Sequence, residues 1–303
     1  MNDSRLAIAP ILEQPTLLVR ADDGVELALF RAEPAEPRPG GLPLLFVHGT
    51  FSNRRFFLGA RERGLARYMA ERGFDAWVAE LRGHGRSGAL GRSSAWHFED
   101  WIRRDAPALI AGIQQATGRE RLVWIGHSAG GVIGVACAGL PTGHSAAIAG
   151  LVTAASPAPT GLLAAQFPMA WSALTITRLM GRFPARLLHI GPEDEHPGIM
   201  EQWMRWNLGR AWLGEDGTDY FANCANIRAA QLALAGGGDW MFAPPSLCED
   251  LVRASGSRDK TFLVCGRAEG FSENYNHNRV LVSTTARGEV WPRIAEWIEA
   301  RFG

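Results

Sequence analysis

The sequence predicts an α/β protein in which a mostly parallel, doubly wound sheet carries an inserted helical cap. Short apolar runs alternate with helical stretches of about 12 to 20 residues, as in parallel strands joined by crossover helices. The strands are continuous apolar runs, which is typical of a sheet covered on both faces. This alternation fails between residues 154 and 225 and then resumes, as expected for an insertion.

The composition is that of a globular chain. Of the 303 residues, 47% are hydrophobic and 20% are charged, and 31 basic residues balance 31 acidic ones. Such a chain is far from the composition of disordered proteins. The arginines are spread along the chain and offset by acids, so no nucleic-acid partner is expected. No apolar run approaches the ~18 residues of a membrane span, so we expect no stable membrane insertion.

The cysteines and the N-terminal residues bear on the cellular compartment. The four cysteines have neither disulfide-framework nor zinc-ligand spacing, which predicts buried free thiols in a reducing compartment. The apolar stretch from Leu6 to Ala9 ends at Pro10 and is too short for a secretory signal. We therefore expect a cytoplasmic protein.

The first predicted elements are a hairpin and two buried strands. Asp22-Asp23-Gly24 separates two alternating runs within residues 16–31, which is typical of a two-stranded hairpin. Buried strands are predicted over residues 42–47 and 74–81, and a helix over 57–71.

The remaining predicted elements continue the alternation. Pro107 lies within a helical stretch and predicts either a kink or a new helix start. In chain order, the elements are a helix over 98–117, a strand over 122–125, a helix over 128–140, strands over 148–153, 230–234 and 261–264, and a final helix over 289–302.

Residues 154–225 form the predicted cap. Its helical pieces are interrupted by prolines at Pro157, Pro159, Pro168, Pro184, Pro192 and Pro197. Because the strand pattern resumes afterwards, we expect one core, residues 1–153 and 226–303, with the cap inserted into it. The acidic run Glu193-Asp194-Glu195 is expected to be solvated.

The candidate nucleophile is Ser128, in the G-x-S-x-G motif from Gly126 to Gly130. Flanking glycines allow a sharp strand-to-helix turn that holds a serine hydroxyl out at the sheet edge. The motif follows an apolar strand, as this interpretation requires. For the oxyanion hole, the main-chain amides of Thr50, after the His48-Gly49 turn, and of Ala129 are the candidates. His48 is expected to stabilise the turn.

The base and the acid follow from chain order, which in this architecture is serine, acid, histidine. Among the histidines, His277 alone follows the last predicted strand. Asp239 follows the penultimate strand, where a carboxylate can orient the imidazole. The rival acids are Glu249, Asp250, Glu269 and Glu273.

These residues together resemble the α/β-hydrolase superfamily. The order of the His48-Gly49 turn, the Arg82 to Gly88 turn, the Ser128 motif, Asp239 and His277 is similar to that of the family. The resemblance implies a serine esterase or lipase with these three residues as its triad. We expect the basic, Gly-rich Arg82 to Gly88 segment to be a structural turn and not a phosphate site.

Two stretches are similar to the acid-lipase-like branch of the family. They are Gly236 to Trp240 and Tyr275 to His277. The sequence departs from that branch at Thr50-Phe51-Ser52, where a leucine pair would stand. The candidate substrate-binding residues are Phe51, Trp171, Trp203 and Trp240.

The expected function is hydrolysis of a small-molecule carboxylic ester that has an apolar acyl or alcohol part. Apolar residues at helical spacing in the cap, such as Met200 and Met204, either pack on the core or line the substrate site. Acyl transfer, hydrolysis of a thioester, lactone, amide or carbon-carbon bond, and non-catalytic binding stay open as alternatives. No dinucleotide or zinc motif is present, so no cofactor and no metal are expected. The sequence does not predict the oligomeric state.

Overall fold

One sheet of eight strands organises the protein, whose computed structural model describes residues 13–59, 63–88, 95–161 and 167–303. The strands are β1 (Leu17–Arg20), β2 (Glu26–Ala32), β3 (Leu44–Val47), β4 (Ala76–Ala79), β5 (Leu122–His127), β6 (Ile148–Ala154), β7 (Ala230–Gly236) and β8 (Lys260–Cys265). Their order across the sheet is β1-β2-β4-β3-β5-β6-β7-β8.

The sheet is mostly parallel, as predicted. β2 pairs antiparallel with β1 and β4, whereas each pairing from β4-β3 through β7-β8 is parallel. The α/β class is therefore confirmed. In a parallel sheet the carboxyl ends of neighbouring strands meet at one edge, so the segments after β3, β5, β7 and β8 can meet there.

Helices cover both faces of the sheet. They are α1 (Arg55–Leu58), α2 (Leu65–Ala70), α3 (Phe98–Asp100), α4 (Ala106–Thr117), α5 (Ala129–Gly139), α6 (Gly143–Ala147), α7 (Phe167–Met180), α8 (Pro197–Gly209), α9 (Tyr220–Asn223), α10 (Pro245–Arg253), α11 (Arg279–Val282) and α12 (Thr284–Phe302). Sequence alone did not indicate the short helix α6.

Alternate residues of the central strands feed two separate apolar clusters. In β3, Leu45 and Val47 join the cluster on one face, whereas Leu44 and Phe46 join the other. The strand is fully buried because helices lie over both faces. This explains the continuous apolar runs of the sequence.

The predicted helix over residues 57–71 is wrong as a single element. In its place the structure has two short helices, α1 and α2. Gly59 ends α1 with φ +73, and a Cβ on Gly64 would lie 2.0 Å from the Phe57 main-chain oxygen. A continuous helix is incompatible with the positive φ of Gly59 and with this close contact at Gly64. Residues 60–62 lie outside the described residues.

Pro107 lies where the helical run over residues 98–117 passes from a π-helical turn into α4. It lies in the first turn of α4 and is preceded by a π-helical turn, Trp101–Asp105. A proline lacks the amide hydrogen, and the first turn of a helix is where none is needed.

The predicted cap lies between β6 and β7, because β6 ends at Ala154 and β7 begins at Ala230. It contains α7, α8 and α9, and residues 162–166 of it lie outside the described residues. The cap therefore enters and leaves the core beside two adjacent parallel strands.

Two further expectations concern the thiols and the membrane. The four cysteines are free and buried, as predicted. In the described part of the chain, no helix has the length and apolar character needed to cross a bilayer. Leu6 to Ala9, on which the expectation about a signal depended, lie outside the described residues.

Candidate active site

Ser128 lies in a strained turn between β5 and α5. Its φ is 52° and its ψ is −123°, a conformation that residues other than glycine rarely adopt. The amide of Ser128 donates to the main-chain oxygen of Ala154, 2.9 Å away, which anchors the turn to β6. The side chain is half-buried, as needed for a hydroxyl that must meet a ligand.

The two glycines of the motif have a direct steric reason. A Cβ on Gly126 would lie 2.3 Å from the Gly131 nitrogen, and one on Gly130 would lie 2.1 Å from the Val47 main-chain oxygen. Any side chain at either place would push α5 away from the strands. The spacing of the motif therefore reflects the close contact of β5, α5 and β3.

Asp239 and His277 form a hydrogen-bonded pair. Asp239 follows β7, His277 follows β8, and Nδ1 of His277 lies 2.7 Å from Oδ2 of Asp239. Burial alone raises the pKa of Asp239, but hydrogen bonds from His277 and from the main chain more than offset it, so this pKa lies below its ordinary value. The carboxylate is thus ionised and accepts the Nδ1 hydrogen.

Ser128 and His277 line one cavity of about 230 Å³. Thr50 and Ala129 line it as well. Asp239 is 3% exposed and does not line this cavity, and its carboxylate contacts Nδ1 of the His277 imidazole. The structure therefore brings together the five residues that the sequence predicted for nucleophile, base, acid and oxyanion hole.

The turn after β3 is pressed against the serine. A Cβ on Gly49 would lie 2.7 Å from the Ser128 Cβ, so only glycine fits there. Among the described residues, neither the Thr50 amide nor the Ala129 amide donates to a protein acceptor. Ala129 is also the first residue of α5, where the helix dipole favours a negative charge. Two amides without a protein acceptor thus belong to residues that line the same cavity as the serine.

His48 stabilises this turn, as expected. Its Nε2 accepts from the Leu81 amide at 3.3 Å, and its Nδ1 donates to the Gly49 oxygen at 2.8 Å. Burial, with a smaller contribution from His84, lowers the pKa of His48 to about 3. It is therefore neutral and lies outside the acid-base pair.

The Arg82 to Gly88 segment is a structural turn, as predicted. The guanidinium of Arg82 is fully buried and pairs with Asp105 at 2.7 Å and with Asp23 at 2.6 Å. With its charge satisfied by two carboxylates, this arginine does not offer a phosphate site.

A second, apolar chamber of about 300 Å³ adjoins the serine cavity. The two cavities share the lining residues Phe51, Pro157, Ile190, Met200, Trp203, Met204 and Phe242. Met169, Ala170 and Ala173 of α7 complete one wall of the chamber. A ligand that reaches Ser128 can thus extend into an apolar space between α7 and α8.

Two of the four predicted substrate-binding residues line these cavities and two do not. Phe51 and Trp203 line both cavities. Trp171 is 58% exposed, Trp240 is 64% exposed, and neither lines the serine cavity or the chamber. The structure therefore does not bring Trp171 or Trp240 to the site.

Sequence reasoning missed the contacts between the cap and the segment that follows β3, which contains Phe51 and Asn53. The Phe51 oxygen accepts from the Glu193 amide at 3.1 Å, and the Asn53 side chain donates to the Glu193 carboxylate at 2.6 Å. Glu195 is 1% exposed and faces the buried His84 at 3.3 Å. The expectation that this acidic run is solvated is thus wrong for Glu195.

It also missed the contact by which His127, at the end of β5, is linked to the loop that carries His277. Its Nε2 lies 2.9 Å from the main-chain oxygen of His277. No local pattern in the sequence indicates this contact, because the two residues are far apart in the chain.

No cluster of three or more His, Cys, Asp or Glu side chains that could hold a metal ion occurs among the residues described.

Comparison with known proteins places this geometry in a family. The sequence profile of the "Alpha/beta hydrolase family" matches residues 44–297. Human lipase member N is 29% identical over 157 residues, which are 46% of this chain and 39% of that protein. Human lysosomal acid lipase/cholesteryl ester hydrolase is 29% identical over 129 residues, which are 39% of this chain and 32% of that protein. The matched region thus spans well under half the length of these relatives.

Solved structures share the fold over almost the whole chain. A soluble variant of monoglyceride lipase from Saccharomyces cerevisiae superimposes with a TM-score of 0.69 at 15% identity and covers 96% of both chains. A thermophilic esterase from Thermogutta terrifontis has a TM-score of 0.61 at 19% identity, covering 95% of this chain and 99% of that one. The resemblance seen in the sequence is therefore confirmed, and the chain belongs to the alpha/beta hydrolase family.

Proposed function

We propose that this protein is a serine hydrolase that cleaves carboxylic esters with an apolar acyl or alcohol part. The observation that carries the proposal is the hydrogen-bonded pair of Asp239 and His277, with His277 lining the same cavity as the strained Ser128. Nucleophile, base and acid supported by three neighbouring loops are what acyl transfer through a serine needs.

In the proposed mechanism the Ser128 Oγ attacks the ester carbonyl carbon while His277 Nε2 takes its proton. The ionised Asp239 stabilises the imidazolium that results. The carbonyl oxygen becomes an oxyanion and accepts hydrogen bonds from the Thr50 and Ala129 amides. The intermediate expels the alcohol, which receives the proton from His277, and leaves an acyl-enzyme. Water then loses a proton to His277 and attacks the acyl carbon. The bond from this carbon to the Ser128 Oγ breaks, His277 returns the proton to Oγ, and the carboxylic acid leaves the regenerated enzyme.

The apolar chamber supports the substrate class. It is lined by aliphatic, sulfur-containing and aromatic side chains, such as Met169, Trp203 and Met204, and Asn207 is its polar exception. Among the residues that the structure describes, no charged side chain lines it. A hydrocarbon chain can be transferred there from water, whereas a charged substituent would lose its hydration without a partner.

The test is hydrolysis of aryl esters from acetyl to palmitoyl by the wild type and by Ser128→Ala. We expect Ser128→Ala to lose about 10⁴-fold or more of kcat and to lose labelling by a fluorophosphonate. Ser172→Ala, which removes an exposed hydroxyl on α7, is the matched control and should keep both.

Three outcomes would overturn the proposal. Turnover that survives in Ser128→Ala would show that the serine is not the nucleophile. A wild type that hydrolyses no ester would move catalysis to another bond. Transfer of the acyl group to an added alcohol, in preference to water, would identify an acyltransferase instead.

A further inference from the structure

His127 occupies an unusual place, between the nucleophile and the loop of the base. It is the last residue of β5, and its buried ring stacks on Phe56 with centroids 4.2 Å apart. The ring centroid of His277 lies 4.8 Å away. Neither the strand nor the stacking requires a histidine, because an aromatic ring without nitrogen would satisfy both.

The hydrogen bonds of His127 define its tautomer. Nε2 lies 2.9 Å from the main-chain oxygen of His277, and a carbonyl oxygen only accepts, so Nε2 carries the hydrogen. Nδ1 has no hydrogen-bond partner among the described residues. A ring with one nitrogen donating and the other unpaired in a buried site is the neutral Nε2-H form.

A neutral donor also suits the chemistry of the neighbouring base. His277 becomes positively charged during the proposed reaction, and a second cation 4.8 Å away would oppose that step. Burial, and after it the proximity of His277, hold the pKa of His127 well below its ordinary value. His127 can therefore donate a hydrogen bond without adding charge.

We propose, building on the function proposed above, that His127 is a positioning residue that fixes the main chain of His277 relative to Ser128. Asp239 restrains the His277 ring through Nδ1, whereas His127 restrains the His277 carbonyl. Because His127 directly precedes Ser128, the second restraint links the loop of the base to the strand end that carries the nucleophile. Small displacements between such groups lower the reaction rate strongly.

Three variants separate the hydrogen bond from the ring. His127→Phe keeps the aromatic ring and loses the donor. His127→Gln places an amide nitrogen near the position of Nε2, whereas His127→Asn places one near Nδ1. We expect Phe and Asn to lower kcat for a short-chain aryl ester by about 10- to 100-fold with little change in KM. Gln should recover most of the loss, although it removes the stacking on Phe56.

A second measurement does not depend on activity. In protein with ¹⁵N-labelled imidazoles, the nitrogen shifts of His127 should report the neutral Nε2-H form throughout the pH range in which exposed histidines titrate. A charged ring or the Nδ1-H form would overturn the proposal. Full activity in His127→Phe would overturn it too. So would equal losses of kcat in His127→Asn and His127→Gln that parallel the losses of thermal stability in these two variants. If ester turnover were independent of Ser128, the proposed function would fail, and the tautomer would still be measured separately.

Discussion

Lengthening the acyl chain of an aryl ester should raise kcat/KM until the apolar chamber is full. A methylene group takes a volume similar to the ~30 Å³ of one water in the liquid, so the chamber of about 300 Å³ holds at most about ten. Each buried methylene contributes about 0.8 kcal/mol, or about fourfold in kcat/KM. The increase should therefore stop near the decanoyl or dodecanoyl ester.

Ala173→Trp tests whether this chamber is the place where the chain binds. Ala173 is half-buried and packs against the small cluster of Phe183, Ala185 and Met200, of which Phe183 and Met200 line the chamber. An indole there would exclude about four methylenes, worth about 3 kcal/mol, or about 200-fold in kcat/KM for the decanoyl ester. The acetyl ester, which does not reach the chamber, should change by less than about twofold.

Steady-state hydrolysis across the acyl series is the assay, and Ser172→Trp is the matched control. Ser172 directly precedes Ala173 in α7 but is exposed and lines neither cavity, so the same bulk there should leave the chain-length profile unchanged. An unchanged decanoyl preference in Ala173→Trp would refute the assignment of the chamber. So would a profile that keeps rising to palmitoyl in the wild type.

Three further predictions concern the acid, a buried cap contact and a glycine. Asp239→Asn should lower kcat about 10⁴-fold with a small change in KM. Steady-state kinetics measure this loss, and a kcat less than tenfold below that of the wild type would contradict the role of Asp239. Burial lowers the pKa of His84, but Glu195 and then Glu193 more than offset this and raise it. The pair therefore stabilises the fold below the ordinary pKa of about 6.5 and loses this contribution as pH rises through the raised pKa. Urea unfolding should show a larger loss for Glu195→Gln at pH 6 than at pH 9, and a loss that grows with pH would reverse the sign. Gly130→Ala should cost about 3 kcal/mol through its contact with a main-chain oxygen, while Gly288→Ala, in open space on a helix, should gain about 0.5–1 kcal/mol in the same assay.

The residues of the candidate site could be predicted because local rules determine their places. Gly126 is required by its contact with Gly131, and Gly130 by its contact with the Val47 oxygen of the neighbouring strand, and both glycines flank Ser128 at a spacing that can be read in one sequence. Asp239 and His277 follow from the order of strands, since Asp239 lies in the loop after β7 and His277 lies in the loop after β8. The mostly parallel sheet is predicted by the same alternation of apolar runs and helices.

What could not be predicted depends on contacts between distant segments. His127 and His277 are 150 positions apart, and the contact involves a main-chain atom that has no sequence signature. Helical spacing finds the aromatic residues of α7 but not which face meets the chamber, so Trp171 is exposed while Ala173 lines the wall. The acidic run around Glu195 predicts that its side chain is exposed to solvent, and only the fold shows that this side chain lies against His84.

The contacts of Phe51 with the cap determine which segments must be replaced together in a chimera with a related protein. The Phe51 oxygen accepts from the Glu193 amide, and a Cβ on Gly191 would lie 2.2 Å from that oxygen. Phe51 itself has φ +62, which a side chain adopts only under restraint. A chimera that receives a foreign cap but keeps its own turn would therefore lose the partner of a strained residue beside the Thr50 amide. The turn and the contacting cap segment, although about 140 residues apart in the chain, must therefore be exchanged together.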